Sequence, residues 1–530
     1  MSKFSIWKIV VVCAAVLFND GCGVTKRITL RSDISDPLET GPLMILTKDS
    51  SLYELTNYKL MDSTLVGTGS VRKRGTTQRF DGELKLSGIG YIQAQSLNGF
   101  KGLLTVAFTG YFVGWTLSSF TGHEGFSLQT RITYPGGSGH SCPFIYSWDG
   151  KRHHMEGEAF GVGLGKALEV TTCVVLNSIK EDQGKLAVRL TNERPETHHF
   201  NVVKLVGVEC DTNAQVYSDA NGILWPVYVQ ASPIRAEDNS GRIMTDDVSY
   251  RDGNYWESNF PERGMSSDFR DAIDLTIVNS NHANEGSIVI HAMNTHLSES
   301  VFDNIFSFLG DESLAFVNAA EHDSVMIRIL KEWLEESSLK AYIFNGSTWD
   351  NIGVIYPEAD NIQFSKLIRL KISRQMSDTI RIRLTCLADV WKIDAVGVDW
   401  TPVTPLKQNI VPLLSAVGSR GEDLRHVLLT SDEEYAVLLP PDMINLKFRA
   451  SNPVEGKKTA YAIYVGGYLY EWPSGKGSDA LKALSPMISQ EMKIPYLKTL
   501  LQNKSIFLPV IYSEWRKKRF ELSSTGCTEY

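Results

Sequence analysis

Cysteine is scarce in this sequence. The 530 residues include seven cysteines, which are widely and irregularly spaced and form no CxxC pair. This spacing excludes the kind of disulfide framework that holds small exported domains together. We therefore predict that the cysteines within the folded domains are simple buried thiols.

Positive charge is also limited. The chain has 53 basic and 61 acidic residues, a formal net charge of −8, and no long run of lysine or arginine. A general nucleic-acid surface is excluded, because such a surface needs clustered positive charge. HExxH and GxSxG motifs are absent as well, and the sequence predicts no metal ion and no cofactor.

The N-terminus has the pattern of an export signal. Lys3 and Lys8 precede an apolar run from Ile9 to Phe18, and Gly21 stands directly before Cys22. This order of charge, apolar run and small residue predicts a signal peptide over residues 1–21. The Gly21-Cys22 pair resembles the lipobox of bacterial lipoproteins, which implies that Cys22 is lipidated. Cleavage at another bond, or an uncleaved anchor, remains an alternative.

A second apolar segment lies between the first domains. No charged residue occurs from Gly102 to Gly122, and Leu103 to Leu117 is interrupted only by threonine and glycine. A stretch of this length is compatible with membrane contact. Its small residues suit a tightly packed hairpin equally well, so both interpretations stay open.

Before that segment, a linker over residues 22–40 leads to five short β-strands within 41–100, separated by polar turns. This density of short strands predicts a small SH3-like or Sm-like barrel.

Two sequence blocks carry a family resemblance. The first runs from Ser141 to Gly150 and reads SCPFIYSWDG, and the second, Val188 to Glu193, reads VRLTNE. They resemble an exported, poorly characterised bacterial family with SCPF-x-Y-x-W/F-D-G and LRLTNE blocks. The resemblance implies a signal or lipoprotein sequence, many strands and no established catalytic residue. The Asp149-Gly150 pair independently predicts a β-hairpin turn.

The remaining chain is predicted as three units: a β-rich domain over 140–285, a jelly-roll-like β-sandwich over 286–402, and a C-terminal β-rich domain with a terminal helix over 406–530. The segment Trp391 to Asp399 is similar to the closing strands of galactose-binding-like jelly rolls. One helical insertion is expected from Asp311 to Lys340, because its apolar residues recur at the helical period. The fold class is therefore mainly β and multidomain, with a few helices.

Candidate ligand-binding residues are Tyr468, Tyr470 and Trp472, which alternate along one strand and share a face. They could stack on a sugar or a partner, or form a packed core face. Glu156 and Glu158 also share a predicted strand face and could act as an acid–base pair in glycan cleavage, although a solvated face is the simpler interpretation. The pair His198-His199 is expected at a solvated strand end.

Taken together, these features predict a non-catalytic binding or scaffold component of the bacterial cell envelope. It would be lipid-anchored on the periplasmic side or the cell surface, with an envelope protein or a glycan as partner and no nucleic acid. Two alternatives remain. One is a glycan-active exported enzyme whose acidic residues converge only in the fold, and the other is an inner-membrane-anchored protein that uses residues 103–117.

Overall fold

The computed structural model describes fourteen segments of the chain: 43–47, 51–61, 64–73, 76–85, 89–94, 143–194, 196–257, 269–279, 282–358, 362–372, 378–439, 441–450, 454–471 and 487–524. Cys22, Trp472, the predicted signal peptide and the 103–117 segment lie outside these residues. The described residues up to Trp515 belong to one compact unit, and 516–524 belong to a second.

The chain is mainly β and is organised in several sheets, as predicted. The first sheet contains β1 (Leu43–Thr47), β2 (Leu52–Met61), β3 (Thr64–Lys73), β4 (Thr76–Lys85) and β5 (Ile89–Ala94). Its order is β4-β3-β2-β1-β5, so that the last strand returns to pair with the first. Ile45, Leu55 and Leu65, on its strands β1, β2 and β3, are fully buried. The five strands predicted within 41–100 are thus confirmed.

The next seven strands lie between Phe144 and Val227. They are β6 (Phe144–Trp148), β7 (His153–Glu158), β8 (Val170–Leu176), β9 (Lys185–Thr191), β10 (Glu196–Asp211), β11 (Gln215–Ser218) and β12 (Leu224–Val227). The predicted hairpin joins β6 to β7, and Gly150 in its turn has a φ of 93°. Glycine adopts this conformation without the steric cost that a side chain would add.

The next nine strands are divided between two sheets. They are β13 (Arg235–Asp238), β14 (Trp256–Glu257), β15 (Arg270–Val278), β16 (Glu285–Asn294), β17 (Leu339–Phe344), β18 (Trp349–Ile355), β19 (Phe364–Lys371), β20 (Thr379–Leu387) and β21 (Trp391–Asp399). The orders are β13-β15-β20-β17-β18 and β14-β21-β16-β19. Apolar residues of both sheets, among them Ile273 and Ile290, fill one core.

The last five strands pair with strands from β6 to β10. Together these strands form what we call the first sandwich, and β13 to β21 form the second. The last five strands are β22 (Gln408–Val411), β23 (Leu413–Gly418), β24 (Ala436–Leu438), β25 (Met443–Arg449) and β26 (Lys457–Glu471). They complete a sheet ordered β23-β25-β9-β6-β7 and a sheet ordered β22-β10-β26-β8, with β24 also on β10. Side chains from both sheets, including Leu190 and Val465, share a second core.

These sheets cross the predicted domain boundaries. The long strand β10 pairs along its length with β26, and β15 pairs throughout with β20. The first sandwich is therefore built from two separate parts of the chain, and the second, from Arg235 to Asp399, is inserted between them. The boundaries predicted at 285 and 402 came from local sequence features, which carry no information on long-range pairing.

Six helices occur in the described residues: α1 (Leu297–Leu309), α2 (Ser313–His322), α3 (Ser324–Ser337), α4 (Arg425–Leu428), α5 (Gln490–Gln502) and α6 (Lys504–Ser524). The helical insertion expected from Asp311 begins earlier, at Leu297, and comprises three helices. Asp323 caps α3 by accepting hydrogen bonds from the amides of Val325 and Met326. None of the described helices has both the length and the apolarity needed to cross a bilayer.

The two faces of the second sandwich differ in what lies over them. On one side, Val289 and Leu367 pack against Val227 of the β11–β12 ribbon. On the neighbouring position of β19, Lys366 Nζ donates a hydrogen bond to the carbonyl oxygen of Cys173 in β8 at 3.3 Å, which is a further contact between the two sandwiches. The other side is the outer surface of β13-β15-β20-β17-β18, which carries two adjoining depressions.

Candidate functional site

We call the outer surface of β13-β15-β20-β17-β18 the open face. One depression on it, of about 470 Å³, is lined by Arg235, Glu237, Asp274, Arg381 and Arg383 among others. A second, of about 380 Å³, is lined by Arg270, Lys340, Tyr342, Trp349, Arg383 and Thr385. Arg383 belongs to both linings, so the two depressions adjoin.

Strand alternation brings these side chains to one surface. On β15, Ile273 and Leu275 are fully buried, whereas Asp274 between them is partly exposed. On β20, Ile382 is buried and Arg383 points to the opposite side. The register sets Arg383 opposite Asp274 on one neighbouring strand and opposite Tyr342 on the other.

A charged triad forms the centre of the open face. Arg383 donates from Nε to Asp274 Oδ1 at 2.6 Å and from Nη2 to Oδ2 at 2.8 Å. This paired geometry is the strong form of an arginine–carboxylate contact. Asp274 raises the pKa of Arg383 through this hydrogen bond. Arg381 reaches the same carboxylate with one longer bond of 3.4 Å.

Aromatic rings hold both arginines in place. The guanidinium carbon of Arg383 lies 4.3 Å from the centroid of the Trp349 ring. Arg381 lies 5.3 Å from the same ring and 5.1 Å from that of Phe344. Contacts of this kind are favourable cation–π interactions. The arginine side chains nevertheless stay 49% and 36% exposed, for Arg381 and Arg383 respectively.

Cations at the second depression are tied to helix α3. Arg270 forms an ion pair with Glu336, which also accepts a hydrogen bond from Lys504 at 2.8 Å. Lys340 lies 3.6 Å from Glu335. The carboxylates of these pairs come from the helix and not from the sheet, so the depression itself is lined by basic and aromatic groups.

The predicted ligand-binding tyrosines lie elsewhere. Tyr468 and Tyr470 share a strand face as expected, but their exposed fractions are 0% and 4%. The rings of Tyr468 and His199 stack with centroids 4.4 Å apart, and Tyr470 Oη donates to Glu321 of α2 at 2.6 Å. Burial raises the pKa of Tyr468. The two tyrosines therefore form a packed core face and not an exposed binding platform.

His198 and His199 lie on opposite faces of β10, and both are fully buried. The expectation of a solvated strand end is wrong, because β24 and β26 pair with both edges of this part of β10 and aromatic rings cover its faces, with Phe160 beside His198 and Tyr468 stacked on His199. His198 Nε2 lies 2.7 Å from Glu196 Oε2. The geometry is that of an ion pair, but desolvation lowers the pKa of His198 to about 3, and we therefore describe the contact as a hydrogen bond from a neutral ring.

Glu156 and Glu158 have different surroundings. The carboxylate of Glu156 accepts hydrogen bonds from the amides of Asn177 and Ser178 at 2.9 and 2.7 Å, and from the Ser147 hydroxyl. It thereby fastens the end of β8 to β7. Glu158 is 3% exposed. These contacts give Glu156 a structural role and leave no open cleft between the two carboxylates.

Three cysteines are described, and all three are buried free thiols, as predicted: Cys173, Cys210 and Cys386. Burial raises the pKa of each. Within the described residues, no group of three or more histidine, cysteine, aspartate or glutamate side chains could hold a metal ion.

The residues of the open face were not predicted as a candidate site from the sequence. Its signal is present in Thr379 to Thr385, where arginines alternate with isoleucines, and in Tyr342 and Phe344 two positions apart. Alternation predicts that one side of each strand is polar. It does not predict that Asp274, more than a hundred residues before Arg383, stands directly opposite it.

Comparison with known proteins assigns no family. No protein-family model and no curated protein matches the chain. A solved structure described as "Structure of allantoicase" covers 43% of this chain and 81% of that chain, with 9% identity and a TM-score of 0.19. A similarity at this level supports no statement about activity.

Proposed function

We propose that this protein is a non-catalytic binding component of the bacterial cell envelope, and that the open face is its ligand surface. The observation that carries the proposal is the Arg381–Asp274–Arg383 triad supported by Trp349 and Phe344. Polar groups held by packing in a shallow, partly exposed surface are typical of a recognition site.

The ligand class that suits this surface is a glycan. Arginine and carboxylate groups fixed in a plane can donate to and accept from neighbouring sugar hydroxyls. Aromatic rings such as Trp349 and Tyr342 offer apolar faces against which a sugar ring can pack. Both rings line the second depression and are partly exposed.

Binding is favoured over glycan cleavage because the acidic groups of the open face are paired with arginine. Glu237 is paired with Arg235 at 2.6 Å, and both oxygens of Asp274 accept hydrogen bonds from Arg383. A carboxylate whose oxygens already accept hydrogen bonds from arginine is not available to act as a general acid or as a nucleophile.

The test is Trp349→Ala, assayed for retention on a panel of immobilised envelope and cell-surface polysaccharides. We expect affinity to fall by about 1–3 kcal/mol, because the ring supports both arginines and contacts the ligand. The matched control is Tyr250→Ala, since Tyr250 is 66% exposed and does not line either depression. Wild-type protein that binds no polysaccharide, or a Trp349→Ala protein that binds like wild type, would refute the proposal.

Attachment to the envelope is proposed to run through lipid on Cys22. Two or more acyl chains, at about 0.8 kcal/mol per buried CH₂, give stable membrane attachment where one chain gives only marginal binding. Cys22→Ser should therefore move the protein to the soluble fraction. Full membrane retention of this variant, with no lipid detected by mass spectrometry, would instead favour residues 103–117 as the anchor.

A further inference from the structure

The open face is more basic than the chain to which it belongs. Its two depressions are lined by five basic residues, Arg235, Arg270, Lys340, Arg381 and Arg383, and by three acidic residues, Glu237, Asp238 and Asp274. The whole chain has a net charge of −8. Arg270 and Lys340 are paired with Glu336 and Glu335 of α3, so the excess of positive charge lies at the Arg381–Asp274–Arg383 triad, where it favours an anionic ligand.

Asp238 contributes little to the charge that a ligand would meet. It is 4% exposed, its side chain accepts from Arg242 Nε at 2.7 Å, and it also binds Ser240 in its own turn. The groups that remain available are those at the centre of the face. There the single carboxylate of Asp274 accepts hydrogen bonds from both Arg381 and Arg383. Two positive charges therefore face one negative charge, and the triad has a net charge of +1.

The two arginines of the triad differ in how their donors are used. Arg383 binds Asp274 through two short hydrogen bonds, whereas Arg381 has a single described hydrogen bond of 3.4 Å. A guanidinium has five N–H donors. Arg381 is also the more exposed of the two. It is therefore the member of the triad that has capacity for a further acceptor.

Arg381 is also held ready for such an acceptor. Its guanidinium carbon lies over both Phe344 and Trp349, at 5.1 and 5.3 Å. A side chain that is already fixed loses less conformational freedom when it binds. The planar fork of a guanidinium matches the geometry of a carboxylate better than a lysine ammonium does.

We infer that the ligand of the open face is an acidic polysaccharide and that Arg381 binds its sugar carboxylates. This inference rests on the proposed function, because it names the ligand class of the same surface. Arg383 then acts as a positioning residue, since its two hydrogen bonds hold the Asp274 carboxylate beside Arg381 without needing to contact the ligand.

The experiment compares polygalacturonate with the same polymer after chemical reduction of its carboxyl groups, by titration calorimetry against the full chain. We expect the acidic form to bind about tenfold more tightly or better, because hydrogen bonds to charged groups contribute more than neutral ones. Arg381→Gln should reduce this preference to near unity, and Arg381→Lys should keep part of it. Arg328→Gln, which removes an arginine on α3 that is 64% exposed and lines neither depression, is the control and should leave the preference unchanged.

The outcomes separate the two proposals. Equal binding of both polymers by the wild type, or an unchanged preference in Arg381→Gln, would overturn the inference and leave the binding function standing. Failure of the wild type to bind either form would overturn the inference, and the polysaccharide panel would then decide the proposed function. Loss of preference in Arg328→Gln to the same degree as in Arg381→Gln would show a general charge effect and would also overturn the inference.

Discussion

Two aromatic strand faces of this protein have similar sequences and opposite environments. On β26, Tyr468 and Tyr470 alternate along one face, and on β17 Tyr342 and Phe344 do the same. The first pair is buried against His199 and α2, whereas the second is partly exposed beside Trp349, Arg381 and Arg383. The spacing of aromatic residues is therefore not what separates a buried strand face from an exposed one. The difference is made by the elements that cover the strand.

The sharpest test of this comparison is Tyr468→Ala, which we expect to cost about 3–5 kcal/mol of unfolding free energy. The change removes a fully buried ring that stacks on His199 and contacts Tyr435, and it leaves a cavity. Denaturant unfolding would measure the effect. A variant that unfolds at the wild-type midpoint would contradict the assignment of this face to the core.

Tyr468→Phe is the matched variant for that experiment. Within the described residues, the buried hydroxyl of Tyr468 has no hydrogen-bond partner. Removing it should cost nothing or stabilise the protein by about 1 kcal/mol, because an unsatisfied buried polar group is unfavourable. Tyr470→Phe should behave differently and destabilise, since the Tyr470 hydroxyl donates to Glu321.

The second prediction concerns pH and the buried His198 on the other face of β10. Its pKa is lowered to about 3 in the folded protein by desolvation, from an ordinary value of 6.5. As pH falls, the unfolded chain therefore takes up a proton on His198 at a higher pH than the folded protein does. The contribution of neutral His198 to the free energy of unfolding is complete above pH 6.5 and is lost as pH falls towards 3. The expected slope is about 1.4 kcal/mol per pH unit.

Unfolding free energies of His198→Gln, measured across this pH range, should show a shallower slope than wild type. His282→Gln is the control, because the His282 side chain is 42% exposed. An identical slope in wild type and His198→Gln would mean that His198 is not held neutral in the folded state.

The smallest expected effect comes from the open face. Asp274→Asn should tighten binding of polygalacturonate by about threefold at low salt, because it raises the charge of the triad while the Phe344 and Trp349 rings still hold the arginines. The gain should vanish in high salt, which screens exposed charges. Weaker binding at low salt would indicate that Asp274 is needed to position Arg383.

Much of the local structure could be predicted. The five strands expected within 41–100 are present as β1 to β5, and the hairpin expected at Asp149-Gly150 joins β6 to β7. The terminal helix expected within 406–530 is present as α5 and α6. These elements were predictable because period-two and helical apolar patterns reflect a single covered face, which is a local property of the chain.

The candidate site could not be predicted in the same way. Arg381 and Arg383 are visible as polar positions of a strand, but Asp274 and Trp349 reach them only through the pairing of β15, β20, β17 and β18. Tyr468 and Tyr470 were the more prominent signal, and that signal was the signature of a strand buried on both faces.

The amino-acid sequence alone determined where strands, hairpin turns and helices occur, and with them the mainly β class. It did so because alternation, turn residues and helical periodicity act over a few neighbouring positions. Only the tertiary structure decided that β10 pairs with β26 across some 250 residues, that one sandwich is inserted in the other, and which sheet surface is left open. Those outcomes depend on contacts between distant segments, where the burial of one face is set by whatever element folds back against it.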